Sequence, residues 1–218
     1  MGGVLTALEP VQIASILVKA GMYVTVLLAA GSVINLWLLT ELDAAASRRL
    51  RRLAAWSAVG GIVFSALNIP LRAAFFYGGI GGALDPMMLQ IAFFGPLGLS
   101  VGTAIVGLLA ILPIMLDRDW TRSVASVGVV CVAISFALRG HATGDPRLAL
   151  STLFVFHILA ASFWIGGFYP LYDMAGRGNA AAVRTVERFG QAALVMVGLL
   201  VVAGVVILVI LAAIRSRS

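Results

Sequence analysis

Charge is what this chain has least of. Of its 218 residues only 11% are Asp, Glu, Lys or Arg, while 61% are hydrophobic. A soluble domain of that length cannot hide so much apolar surface, which excludes a water-soluble fold. One cysteine, Cys131, stands in the middle of an apolar segment and leaves no partner for an intrachain disulfide. No polar stretch is long enough to build a separate soluble domain. A nucleotide-binding glycine loop, paired carboxylates and a candidate nucleophile are all missing, so the chain reads as a non-enzyme. Acidic residues number 9 against 15 basic ones. The arginines sit in loops, so the basic excess speaks of membrane topology and not of nucleic acid.

Long apolar runs fill the rest. A helix needs about 20 residues to cross a bilayer. The pattern predicts six spans, at about 11–39, 54–77, 86–116, 121–141, 148–173 and 186–213. The fold class is therefore an all-α integral membrane bundle of six transmembrane helices, forming one polytopic domain over 1–218. Glu9 and Pro10 precede the first run without a basic region, which argues against a cleavable signal there. Gly95-Pro96 should kink the third span, because proline removes a backbone donor and clashes with the preceding turn. The first, third and fifth loops carry Arg48, Arg49, Arg51, Arg52, Arg118, Arg122, Arg177, Arg184 and Arg188. The other side carries fewer: Lys19, Arg72, Arg139, Arg147, Arg215 and Arg217. This bias puts the odd loops in the cytoplasm and both termini in the periplasm.

Both histidines fall within residues 136–168, FALRGHATGDPRLALSTLFVFHILAASFWIGGF. His141 ends the fourth predicted helix and His157 lies inside the fifth. An ionisable ring at membrane depth marks a functional site by default. At about 1.5 Å per residue, His157 lies roughly 14 Å below the outer boundary, with Lys19 and Asn68 each about 12 Å down. Met22 and Tyr23 share the face of Lys19. Met87, Met88, Arg139 and His141 come nearer the surface. Polar and sulfur side chains thus gather in the outer half, while Asn35 and Gln191 are the main polar residues of the inner half. Imidazole and thioether together suit copper, so His141, His157, Met22, Met87 and Met88 are candidate metal ligands. Lys19, Asn68, Arg139 and Trp164 are candidate pocket-lining residues. Each has a plainer reading. Lys19 snorkels on its stem; Asn68 makes an interhelical hydrogen bond; the methionines fill gaps. Trp164 either walls the cavity or anchors packing, and Gly166 and Gly167 permit close helix approach. The spacing of the histidines alone would serve copper binding, proton relay or haem ligation equally.

The pattern Gly140-His141-Ala142, then His157, Trp164, Gly166 and Gly167, then Arg188-Phe189, resembles the CopD copper-resistance family over about residues 120–214. The first 120 residues resemble it only as hydrophobic helices. Larger relatives have more spans, some with an added periplasmic copper-binding domain, so this chain looks like a short member. The resemblance implies copper as the metal, a multi-pass place in the bacterial inner membrane, and a role in copper uptake or resistance. A periplasmic donor protein, the lipid bilayer and a homo-oligomer are the expected partners. Two alternatives stay open: a b-type cytochrome with His141 and His157 as axial ligands of haem b, and a non-catalytic subunit of a larger membrane complex.

Overall fold

The computed structural model describes residues 10–40, 42–138, 147–175 and 180–215. His141 and Arg139 lie outside them. Seven α-helices are found among the described residues: α1 (Pro10–Leu38), α2 (Ala44–Tyr77), α3 (Pro86–Phe94), α4 (Pro96–Ile111), α5 (Asp119–Ala137), α6 (Arg147–Ala175) and α7 (Ala180–Arg215). Short 3-10 turns follow α2 and α4. Six stretches are long and apolar enough to cross a membrane, the third of them Pro96–Leu116.

The expected kink at Gly95-Pro96 is a full break. Gly95 adopts extended backbone (φ −79°, ψ 177°), and Pro96 opens α4 as its first residue. Proline is well placed there, since the first helical donors have no acceptor within the helix. The short helix α3 is a separate element, started by Pro86 and capped by Asp85, whose carboxylate accepts from the Met88 N–H at 2.9 Å. A second correction concerns α2, which begins ten residues earlier than its apolar run. Asp43 caps it by accepting from the Ala46 N–H at 2.6 Å. Arg48, Arg49, Arg51 and Arg52 therefore ride the first turns of a helix and not a loop. Similarly α7 starts at Ala180, so Arg184 and Arg188 are helical. For α2 the cap, and not the loss of hydrophobicity, sets the helix start.

Helix α1 runs through the middle of the bundle against α2, α5 and α6. Met22, Val26, Ala29, Ala30 and Val33 form its buried stripe, packed with Ala54, Ala58, Leu108, Ile111, Val129, Val132 and Phe136 from the neighbours. Small residues let the backbones meet. A Cβ on Gly31 would fall 1.8 Å from the carbonyl oxygen of Ser162, and one on Gly166 would fall 2.1 Å from the carbonyl carbon of Gly31. Gly107 and Gly128 do the same for α4 and α5. One turn beyond Gly31, the Asn35 amide donates to the Gly31 carbonyl at 2.8 Å and across the interface to the Phe163 carbonyl at 3.0 Å. Close packing of this kind, with interhelical hydrogen bonds, drives helix association where lipid tails remove the hydrophobic driving force. Outside, large apolar side chains such as Trp56, Val127, Leu194 and Val201 are exposed, as a lipid-facing surface requires.

Gly31→Ala should separate α1 from α6 and cost about 1–3 kcal/mol, the range for overpacking a tight core. Gly102, where an added Cβ meets nothing within 4 Å, is the control. Thermal unfolding in detergent should show a lower midpoint for Gly31→Ala and none for Gly102→Ala.

Candidate metal site in a polar-lined cavity

The first half of α1, the last turns of α2, the α3–α4 break, the end of α5 and the start of α6 surround one cavity of about 1210 Å³, closed in part by Leu200, Ala203 and Gly204 of α7. The walls are mostly apolar. Its polar and sulfur groups come from three helices, and their spacing explains why they converge. Gln12, Ser15, Lys19 and Met22 are separated by three, four and three residues, which places them on one face of α1. Asn68 and Arg72 are four apart on α2, and His157 follows Leu153 and Phe154 by four and three on α6.

Met22 is 2% exposed and sits at the floor. The amide of Asn68 donates to its thioether sulfur at 3.5 Å and to the Phe64 carbonyl at 2.7 Å. The interhelical bond expected of Asn68 is thus made, and made to the sulfur. His157 is exposed along the cavity wall and stacks on Phe154, with ring centroids 6.3 Å apart. Tyr23 stacks on Phe136 at 5.5 Å. The Arg72 guanidinium lies 4.6 Å from the centre of the Phe76 ring and 5.3 Å from that of Phe75, cation–π distances. Gln12 and Ser15 are lining residues that sequence reasoning missed. Their signal was the three-four-three spacing that ends on Met22.

The predicted residues therefore divide. His157, Met22, Lys19 and Asn68 line the same cavity. Met87, 65% exposed, and Met88 belong to the first turns of α3 and are not among its lining residues. Trp164 is not among them either. Its ring makes edge contacts with Phe163 and Phe189 at 6.0 and 5.6 Å, while those two stack at 4.7 Å. Of the two roles open to Trp164, the contacts show packing, joining α6 to α7. Gly167 belongs to the same joint, since a Cβ there would fall 2.2 Å from the Phe189 ring. Cys131 lies at the α4–α5 crossing, beside Gly107. Among the described residues no three His, Cys, Asp or Glu side chains come together. Any metal held here would rest on imidazole and thioether.

The opposite end of the bundle has a different character. Arg51, 6% exposed, pairs with Asp117, which also lies 3.7 Å from Arg122. Arg49 pairs with Asp173 at 3.1 Å. Arg188 donates to the Thr40 hydroxyl, tying α7 to the end of α1. The ion pairs described thus gather away from the cavity.

A model of the copper resistance protein D-like, N-terminal domain matches residues 9–150. The chain belongs to this family. The match spans α1 to α5 and the first residues of α6, so it covers Lys19, Met22, Asn68 and His141 of the CopD-like chain and ends before His157. It therefore rests on the helices that, read by eye, resembled the family only in being hydrophobic. Comparison with curated proteins and with solved structures found no match.

Removing the charge at Asp117 strands a buried guanidinium, while Arg49 stands largely in solvent. Asp117 has φ +51°, a left-handed conformation that asparagine tolerates, so Asp117→Asn tests charge alone. Asp117→Asn should lower stability by roughly 1–3 kcal/mol. Arg49→Ala should lower it by less than about 1 kcal/mol. Denaturation of both in detergent checks the order.

Proposed function

We propose that this CopD-like chain is a non-catalytic copper-handling protein of the bacterial inner membrane, taking copper as cargo into the cavity between α1, α2 and α6. The observation that carries the proposal is that Met22 and His157 line one cavity in a chain of the copper resistance protein D-like family. Thioether with imidazole is a donor pair that favours Cu(I). Asn68, bonded to the Met22 sulfur, fixes that side chain and is positioned to steer it. His141 belongs to the segment joining α5 to α6 and enters as a second imidazole from the sequence alone.

The positive-inside bias places the arginine-rich end in the cytoplasm and the cavity in the periplasmic half, with both termini outside. Copper then arrives from a periplasmic donor protein, for uptake or for resistance. The arginine-rich end offers ion pairs and not soft donors, so a homo-oligomer or partner would supply any onward path. The alternative, a b-type cytochrome, would take His141 and His157 as its axial pair. His157 lines the cavity, and His141, the second ligand of that reading, lies outside the described residues.

Purified protein loaded with Cu(I) should retain about one copper per chain by elemental analysis. His157→Ala should weaken retention by about tenfold or more. Met22→Leu conserves volume and should weaken Cu(I) more than Cu(II). Unchanged stoichiometry in His157→Ala would remove it from the site. A Soret band that shifts on reduction would replace copper by haem.

A further inference from the structure

Copper ligation accounts for Met22 and His157 but leaves Lys19 and Arg72 unexplained. Both are exposed and both line the cavity. No carboxylate is among the described lining residues. Two positive side chains repel a bare cation, so they are poor company for copper alone and good company for an anion. The size points the same way. A cavity of about 1210 Å³ exceeds the roughly 300–1,000 Å³ of an ordinary small-molecule pocket. A metal ion fills a very small part of it.

We propose that this cavity also holds one anionic phospholipid, its phosphate between Lys19 and Arg72 and its acyl chains along the apolar wall. Arg72 is suited to the phosphate. Its guanidinium carbon lies over the Phe75 and Phe76 rings, at 5.3 and 4.6 Å, cation–π contacts that anchor the group, and a guanidinium has several N–H donors with which to serve a phosphate. Lys19 contributes a compact charge on a flexible stem. Ser15 and Gln12, one and two turns nearer the start of α1, add hydrogen-bonding groups for the rest of the headgroup. Phe76, Phe136, Ile158 and Leu200 give the chains an apolar lining. Arg and Lys bind phosphate oxygens by charge-assisted hydrogen bonds, and the cavity lies among helices long and apolar enough to span the bilayer. The inference goes beyond the copper reading and does not need it.

Native mass spectrometry of the full chain in uncharged detergent tests it, with phosphatidylglycerol and phosphatidylcholine of the same acyl chains as probes. The wild type should retain phosphatidylglycerol about tenfold or more over phosphatidylcholine. The double variant Lys19→Gln, Arg72→Gln should lose that preference, and the charge-conserving pair Lys19→Arg, Arg72→Lys should keep it. Equal retention of the two lipids overturns the proposal. So does a preference that survives in the glutamine variant. Displacement of phosphatidylglycerol by inorganic phosphate alone would show a site for the anion without its chains, and bound haem would assign the cavity to a carboxylate-bearing macrocycle; either result overturns the lipid. Copper content read in the same samples separates failure here from failure of the copper site.

Discussion

The contact on which the rest depends is the meeting of two backbones. Gly31 of α1 and Gly166 of α6 leave no room for a Cβ on either side. One turn on, the Asn35 amide reaches the Phe163 carbonyl and locks the register. Both features suit a medium without water. Backbone contact supplies dispersion that lipid cannot match, and a polar amide buried there must find a partner. Helix α1 carries Met22 and α6 carries His157. Fixing these two helices against each other fixes the walls of the cavity nearer their starts. The Phe163–Phe189–Trp164 cluster then seats α7 on α6.

A division of labour between the two ends follows. At one end Arg49 pairs with Asp173, and Asp117 serves Arg51 and Arg122 from a left-handed turn after the span Pro96–Leu116. At the other end polar groups open onto a cavity. Lys19 and Arg72 there have aromatic and aliphatic neighbours, and no described carboxylate lines the space with them. Helix α7, which bounds part of the cavity, touches mainly α6 among the described residues.

Much of this was legible in the residues. Six apolar runs announced six spans, and Gly95-Pro96 announced an interruption. Depth along each helix was enough to bring His157, Lys19, Met22 and Asn68 to one level, because rise per residue is fixed and alternate helices are antiparallel. Direction around each helix was harder. Met87 and Met88 were expected nearer the surface than His157; the break at Gly95 makes α3 a separate element, and they are not among the cavity's lining residues. Trp164 fell on the nominal face of His157, but its neighbours came from α7, whose approach no local pattern encodes. The start of α2 lies outside its apolar run because Asp43 supplies the cap. The family's own signal was misjudged in the same spirit. Apolar helices look interchangeable by eye, although the matched stretch 9–150 is made largely of them.

X-ray absorption at the copper edge of the Cu(I)-loaded chain addresses the central claim most directly. The account predicts a first shell with both a thioether sulfur and an imidazole nitrogen, the sulfur vanishing in Met22→Leu and an imidazole in His157→Ala. A shell without sulfur, or one unchanged by both substitutions, would contradict it.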